Sequence, residues 1–311
     1  MTPRIALSLL ALSLVSPFTA TPASAAVDQV TTYATLVPGA AAYGIEYVPD
    51  GLLYVSGQDP AGTAKIWKIA NGGAPVTEFA SGMTEPKGMA FDASGNLYVA
   101  DWLDRVLPSV IWKITPGGVR TLFATVNGAT FMEFNNAGDL LVGTWGSVQI
   151  KRVTPAGVVS TYGSGASVPG DEVTGLVYDA LTDELYYGAG PWIKKLGPGG
   201  AGLTTIAGNM VGVVGLVRGP DGQFYVSRYS HRDLYRVTTG GVESSYAGVH
   251  LGSGCIDGAR LGGARFTLTA GLAMIGCTLY VADTGCHTVR AIDVDASTMT
   301  ASSSWGRLKA I

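Results

Sequence analysis

Six stretches with one grammar constrain this chain more than anything else in it. They are "YGIEYVPDGLLYVSG" (43–57), "KGMAFDASGNLYVAD" (87–101), "TFMEFNNAGDLLVGT" (130–144), "TGLVYDALTDELYYGA" (174–189), "VGLVRGPDGQFYVSR" (214–228) and "AGLAMIGCTLYVAD" (270–283). Their aligned positions Tyr54, Tyr98, Leu141, Tyr186, Tyr225 and Tyr280 are spaced by 44, 43, 45, 39 and 55 residues. A period in this range means that one supersecondary unit is copied and stacked. Each copy continues into a third run, such as "IWKIA" (66–70), "IWKIT" (111–115) or "VRAID" (289–293). Five copies go on to a fourth, such as "VTEFA" (76–80), "VRTLFA" (119–124) and "VESSYAG" (242–248).

The runs are short and rich in Val, Ile, Thr and Tyr, and they are punctuated by Asp-Gly, Ser-Gly, Pro-Gly and Gly-Gly. That is the pattern of antiparallel strands joined by tight turns. The 44 glycines of 311 residues, about double the usual ~7%, fit many turns and few helices. Four strands per unit, six times over, predicts an all-β chain: a six-bladed β-propeller of four-stranded antiparallel blades.

The ends read differently. Arg4, the apolar "IALSLLALSLV" (5–15) and Ala23-Ser24-Ala25 have the order of an export signal. The expectation is a signal peptide over 1–25 and one propeller domain over 26–311, secreted or periplasmic after cleavage. No later apolar run reaches the ~18 residues of a membrane helix. "VTTYATL" (30–36) resembles the fourth runs and is expected to complete the blade of 270–293; "TMTASSSW" (298–305) is the rival for that slot. A closed ring protects its sheet edges and predicts a monomer. The net charge of −3 gives no footprint for nucleic acid.

The last copy and the loop before it, "AGVHLGSGCIDGARLGGARFTLTAGLAMIGCTLYVADTGCHTVRAID" (247–293), resemble the NHL-repeat propellers. The likeness lies in the Gly-rich Asp-Gly loop, then Ala-Arg-Phe, Gly-Leu, Tyr-Val-Ala-Asp and His-x-Val-Arg. Ala270 stands where that family usually has Pro, and Cys286 where it has Asn. The resemblance implies that Asp283 and His287 are repeat residues holding a turn. Related six-bladed propellers include gluconolactonases and amidating lyases, but the Glu-Gly-Pro of the former is absent and "GIEYVPDG" (44–51) keeps only the Glu.

Calling the strands of a blade a to d from the centre outward, the b–c and d–a connections share one face, here the upper. The a–b and c–d turns share the lower. Loops on a rigid scaffold commonly carry function. Trp102, Trp145, Trp192 and Tyr229 fall in or beside upper b–c loops, with Arg228 and Lys87 close by in sequence. They are candidates to grip a peptide, glycan or small ligand, or else to cap the gaps between blades. Glu46 and Glu133 share a repeat position that is apolar in the other four copies. They are candidate ligands for a divalent metal, calcium or zinc, or an acid–base pair; otherwise they form a buried ion pair with Lys87. The three histidines, His231, His250 and His287, also map to upper loops and offer a zinc alternative.

Of the three cysteines, Cys255 and Cys286 map to the upper end of one blade and Cys277 to its lower end. A strand of about six residues spans roughly 20 Å, whereas a disulfide tolerates about 7 Å between Cα atoms. Cys255–Cys286 is therefore the expected bridge, with Cys277 a buried thiol. These readings favour a binding module engaged on the upper face. The alternative is a metal-dependent lactonase, hydrolase or lyase with a site in the central channel.

Overall fold

A computed structural model describes residues 28–48, 51–102, 108–147, 149–163 and 172–294. The expected signal segment 1–25 and the rival closing run 298–305 lie outside the described residues. The chain opens with β1 (Gln29–Thr35). Blade one is β2 (Ala41–Tyr47), β3 (Leu53–Gln58), β4 (Ala64–Ile69) and β5 (Val76–Met83). Blade two is β6 (Pro86–Phe91), β7 (Leu97–Asp101), β8 (Ser109–Ile114) and β9 (Arg120–Val126). Blade three is β10 (Ala129–Phe134), β11 (Leu140–Thr144), β12 (Ile150–Val153) and β13 (Val159–Thr161). Blade four is β14 (Val173–Asp179), β15 (Glu184–Ala189), β16 (Trp192–Leu196) and β17 (Thr204–Ala207). Blade five is β18 (Val213–Arg218), β19 (Phe224–Arg228), β20 (Asp233–Val237) and β21 (Glu243–Ala247). After the short β22 (Gly258–Ala259), blade six follows as β23 (Thr269–Ile275), β24 (Thr278–Asp283) and β25 (Thr288–Asp293).

The outer strand of blade six is β1, paired antiparallel with β25 from Val30 opposite Ile292 to Thr35 opposite Thr288. The N-terminal strand thus closes the ring. Its own outer edge is covered by β22, and Val30, Ala34 and Leu36 are buried. The six innermost strands touch in sequence around the axis, β2, β6, β10, β14, β18, β23 and back to β2.

Five of the six carry glycine at the closest approach: Gly44, Gly88, Gly175, Gly215 and Gly271. A Cβ on Gly44 would sit 2.3 Å from the Lys87 carbonyl oxygen, and one on Gly271 2.7 Å from that of Tyr43. Real Cβ atoms do not approach so closely, so these positions form a collar that only glycine fills without displacement. Hydroxyls tie neighbouring blades at the same level. Ser56 Oγ donates to the Lys87 carbonyl and Ser227 Oγ to that of Ala270, both at 2.5 Å. In blades three and four the matching b-strand residue is Gly143 or Gly188, and the hydroxyl comes instead from Thr130 or Thr174 on the a strand, to Val173 O (2.7 Å) and Val213 O (2.9 Å). One small residue and one hydroxyl exchange places, and the bond to the next blade survives.

Between the blades lies the apolar core. The repeated tyrosine is its marker: Tyr54 meets Phe91 of the next blade edge-on at 5.0 Å, and Tyr98 meets Phe134 at 5.1 Å. Within its own blade Tyr280 meets Tyr33 of β1 at 4.8 Å, as Tyr54 meets Phe79 of β5 and Tyr98 meets Phe123 of β9, so β1 takes the packing place of a fourth strand.

Candidate functional site

Each a–b pair carries a register shift at or beside the collar, as between Ala42 and Ile45, Pro86 and Met89, and Thr269 and Leu272. A bulge bends the strand and re-aims its side chains. In blades one and two the residues inside the shift are Tyr43-Gly44 and Lys87-Gly88, and Tyr43 and Lys87 come together. The Lys87 ammonium lies 4.4 Å from the centre of the Tyr43 ring and 5.2 Å from the Trp102 ring. It donates to Glu85 at 2.6 Å.

The aromatic residues are set by the first position after each b strand. Trp102 N–H donates to Glu85 O, Trp145 N–H to Gly128 O and Tyr229 N–H to Gly212 O, extending each a–b ladder by one rung. Trp102 and Trp145 meet at 5.7 Å with planes tilted by 49°. Trp145 also bridges, main chain to main chain, to Glu172 at the foot of blade four. The result is a half-buried cluster of Tyr43, Glu85, Lys87, Trp102, Trp145 and Glu172 across blades one to four. Burial pushes the Glu172 carboxyl up from its ordinary range, and Lys87 pulls it back. Burial, then Glu85 and Tyr229, raise the Tyr43 hydroxyl, which stays a neutral donor. One cation, two carboxylates and three rings at one mouth offer polar recognition beside flat apolar faces.

Trp192 does not join them. In blade four the b–c turn is so short that Trp192 is already in β16, opposite Ala189. Its ring lies against Gly208, where a Cβ would be 2.9 Å away. Arg228 is buried and grips Asp233 through two bonds of 2.7 and 2.5 Å, with its guanidinium 3.9 Å from the Tyr235 ring centre. It secures the b–c turn of blade five.

The histidines divide. His231 and His250 stack at 5.1 Å, and His250 Nδ1 lies 2.9 Å from Asp233. His287 has a left-handed backbone (φ 57°) and its Nδ1 donates to Ala40 O at 2.5 Å, clasping blade six to blade one. Asp283 accepts from Thr267 N (2.9 Å) and pairs with the fully buried Arg290 (3.1 Å). Both repeat residues hold backbone. Among the described residues, no three His, Cys, Asp or Glu side chains gather as metal ligands would.

Glu46 and Glu133 both line the central channel. Their expected partner Lys87 faces the other way: the bulge turns it to the upper mouth, where Glu85 holds it. The bridge Cys255–Cys286 is present, with Cα atoms 5.5 Å apart. Cys277 is a free thiol, half-buried rather than buried because it opens a lower-face hairpin; burial still raises its pKa.

Tyr43, Glu85 and Glu172 had not stood out in the sequence. A signal existed for two of them. Glu85 and Glu172 each lie three residues before a collar glycine, where the other copies have Ala41, Gly128, Gly212 and Leu268.

No family model matches the chain, and no curated protein matches it. Solved structures do. An auxiliary nutrient binding protein from Bacteroides thetaiotaomicron superposes with TM-score 0.70 at 14% identity, over 85% of this chain and 75% of that one. A protein of the same description from Bacteroides ovatus gives 0.69 at 16%, over 85% and 76%. Virginiamycin B lyase from Staphylococcus aureus gives 0.61 at 14%, over 86% and 99%. At such identities the likeness is one of fold, a propeller.

Proposed function

We propose that this chain is a secreted binding module that takes a glycan on the upper face of the propeller. The observation that carries the reading is the Tyr43–Lys87–Trp102–Trp145 cluster, flanked by Glu85 and Glu172. Sugars present flat C–H faces that stack on indole and edges of hydroxyls that exchange hydrogen bonds with carboxylate, ammonium and phenol. Two structural neighbours named as nutrient binding proteins support it. So does the disulfide, which belongs to an oxidising compartment. The proposal includes export through residues 1–25, a single monomeric NHL-like domain, and no role for nucleic acid.

The test is calorimetry and tryptophan fluorescence with soluble oligosaccharides, beginning with cellotriose and maltotriose. Binding should quench fluorescence, and Trp102→Ala should weaken it by at least about tenfold, a loss of ~1.4 kcal/mol, with the β circular dichroism unchanged. Binding untouched by Trp102→Ala and by Trp145→Ala would refute the site. A chain blind to sugars that binds peptides through the same tryptophans would refute the glycan.

A further inference from the structure

The two carboxylates of the upper cluster are held in different ways. Glu85 has the cation: Lys87 donates to it at 2.6 Å, and the same ammonium rests 4.4 Å from the Tyr43 ring centre and 5.2 Å from that of Trp102. Lys87 is thereby spent. Glu172 pairs only through its backbone, antiparallel to that of Trp145. Residues directly opposite in such a pair send their side chains to the same side. The Glu172 carboxyl therefore stands beside the Trp145 indole, whose ring centre is 5.7 Å from that of Trp102. Among the described residues no hydrogen bond or ion pair reaches this carboxyl. Burial raises its affinity for a proton, and the more distant Lys87 offsets that only in part. One acid group is thus left for a ligand to answer, in a wall of aromatic rings. A cation brought to it restores the charged carboxylate, and the ring faces attract that same cation.

We infer that the glycan taken here is an amino sugar with its amine free, the ammonium seated between Glu172 and the indoles of Trp102 and Trp145. The inference rests on the glycan reading and narrows it to one chemical class. Because Glu172 and Trp145 are direct neighbours, the amine belongs on the same pyranose ring that stacks on the indole, as in glucosamine. The bound state then holds two matched pairs, Lys87 with Glu85 and the ligand ammonium with Glu172. A sugar hydroxyl can donate to Glu172 but brings no charge. N-acetylation removes the charge and adds bulk at the same point. A uronic acid sets its carboxylate against Glu85 and Glu172, and like charges oppose it.

The experiment compares three disaccharides that share one frame and differ only in the group beside the anomeric carbon. The glucosamine dimer has a free amine there, di-N-acetylchitobiose an acetamide and cellobiose a hydroxyl. Calorimetry on the whole protein at about pH 6 keeps the amines charged, below the ~7.7–8.0 of an α-amino group. The glucosamine dimer should bind at least about tenfold more tightly than either of the others. Glu172→Gln should collapse that ratio to within about twofold, with the β circular dichroism unchanged. The ratio in the wild type decides the matter even where the variant does not fold. Equal binding of the three sugars would overturn the inference and leave the glycan reading in place. So would a preference that survives Glu172→Gln, or tighter binding of a glucuronate disaccharide. Failure of every sugar, cellotriose and maltotriose included, would remove the glycan reading itself, and this inference with it.

Discussion

Removing the Cys255–Cys286 bridge should destabilise the protein through its unfolded state while leaving the folded loop where it is. The bridge spans 31 residues of sequence, and the chain-entropy relation for a closed loop of that length gives about 12 cal/mol/K, or about 3.7 kcal/mol at 25 °C. The folded loop has other ties. Ser253 bridges Phe266, Ile256 bridges Arg265, and Arg290 donates to Ile256 O at 2.9 Å and pairs with Asp257. Asp257 in turn accepts from Thr32 N at 2.9 Å. Cys255→Ala/Cys286→Ala should therefore lose about 3–4 kcal/mol in urea. At about 2–4 °C per kcal/mol for a domain of this size, the melting temperature should fall by roughly 7–15 °C. Each single variant should lose almost as much as the double, because either one opens the bridge. Amide exchange at Ile256 and Arg265 should keep its protection relative to global unfolding. A fall below about 2 °C, or exchange at those amides as fast as at a free loop, would refute the reasoning: the bridge would then act by holding the folded loop.

Gly44→Ala should cost about 3 kcal/mol, the upper end of the usual range for overpacking, because its Cβ would meet the Lys87 carbonyl at 2.3 Å; a urea midpoint within error of wild type would disprove the collar. Ser227→Ala removes a hydroxyl that accepts from Gly215 N–H and donates to the Ala270 carbonyl and should cost about 1–3 kcal/mol, measured in the same way. Burial, then Arg228 and His250, hold the His231 imidazole below its ordinary range. A base with a depressed folded pKa binds its proton more readily unfolded, so stability should fall as pH drops from about 7.5 through the unfolded value near 6.5. Stability curves of wild type and His231→Gln should diverge in that window, and parallel curves would show that His231 takes no part.

Much of the architecture was legible because propeller blades are repeats. The tyrosine at 54, 98, 186, 225 and 280 occupies the same place on the second strand of each blade and packs its ring on a ring of its own outer strand or of the next blade, so its spacing counts blades. Strand arithmetic reached the disulfide and β1 for the same reason: both depend only on which end of a strand a residue occupies. The upper cluster resisted. Lys87 and Glu46 lie close in the repeat grammar, yet the bulge at the collar turns one to the upper mouth while the other lines the central channel. Trp192 counts as a b–c loop residue until the turn in blade four is found too short to carry it outside the sheet. Such facts depend on one or two residues of local geometry, which hydrophobic periodicity does not record.

The pairing of β1 with β25 also orders events in time. β1 leaves the ribosome before any blade, yet its partner follows some 260 residues later, as the bond from Thr31 to Ala291 measures. Closing so long a loop is slow and entropically costly. Until it closes, a nascent chain carries five finished blades and a sixth whose β25 presents an open edge. That edge accepts a β1 of the right register, whether its own or a neighbour's. Exchange of the first strand between two copies would then give a swapped dimer with every native pairing kept, favoured at high protein concentration during refolding and absent from a variant lacking β1.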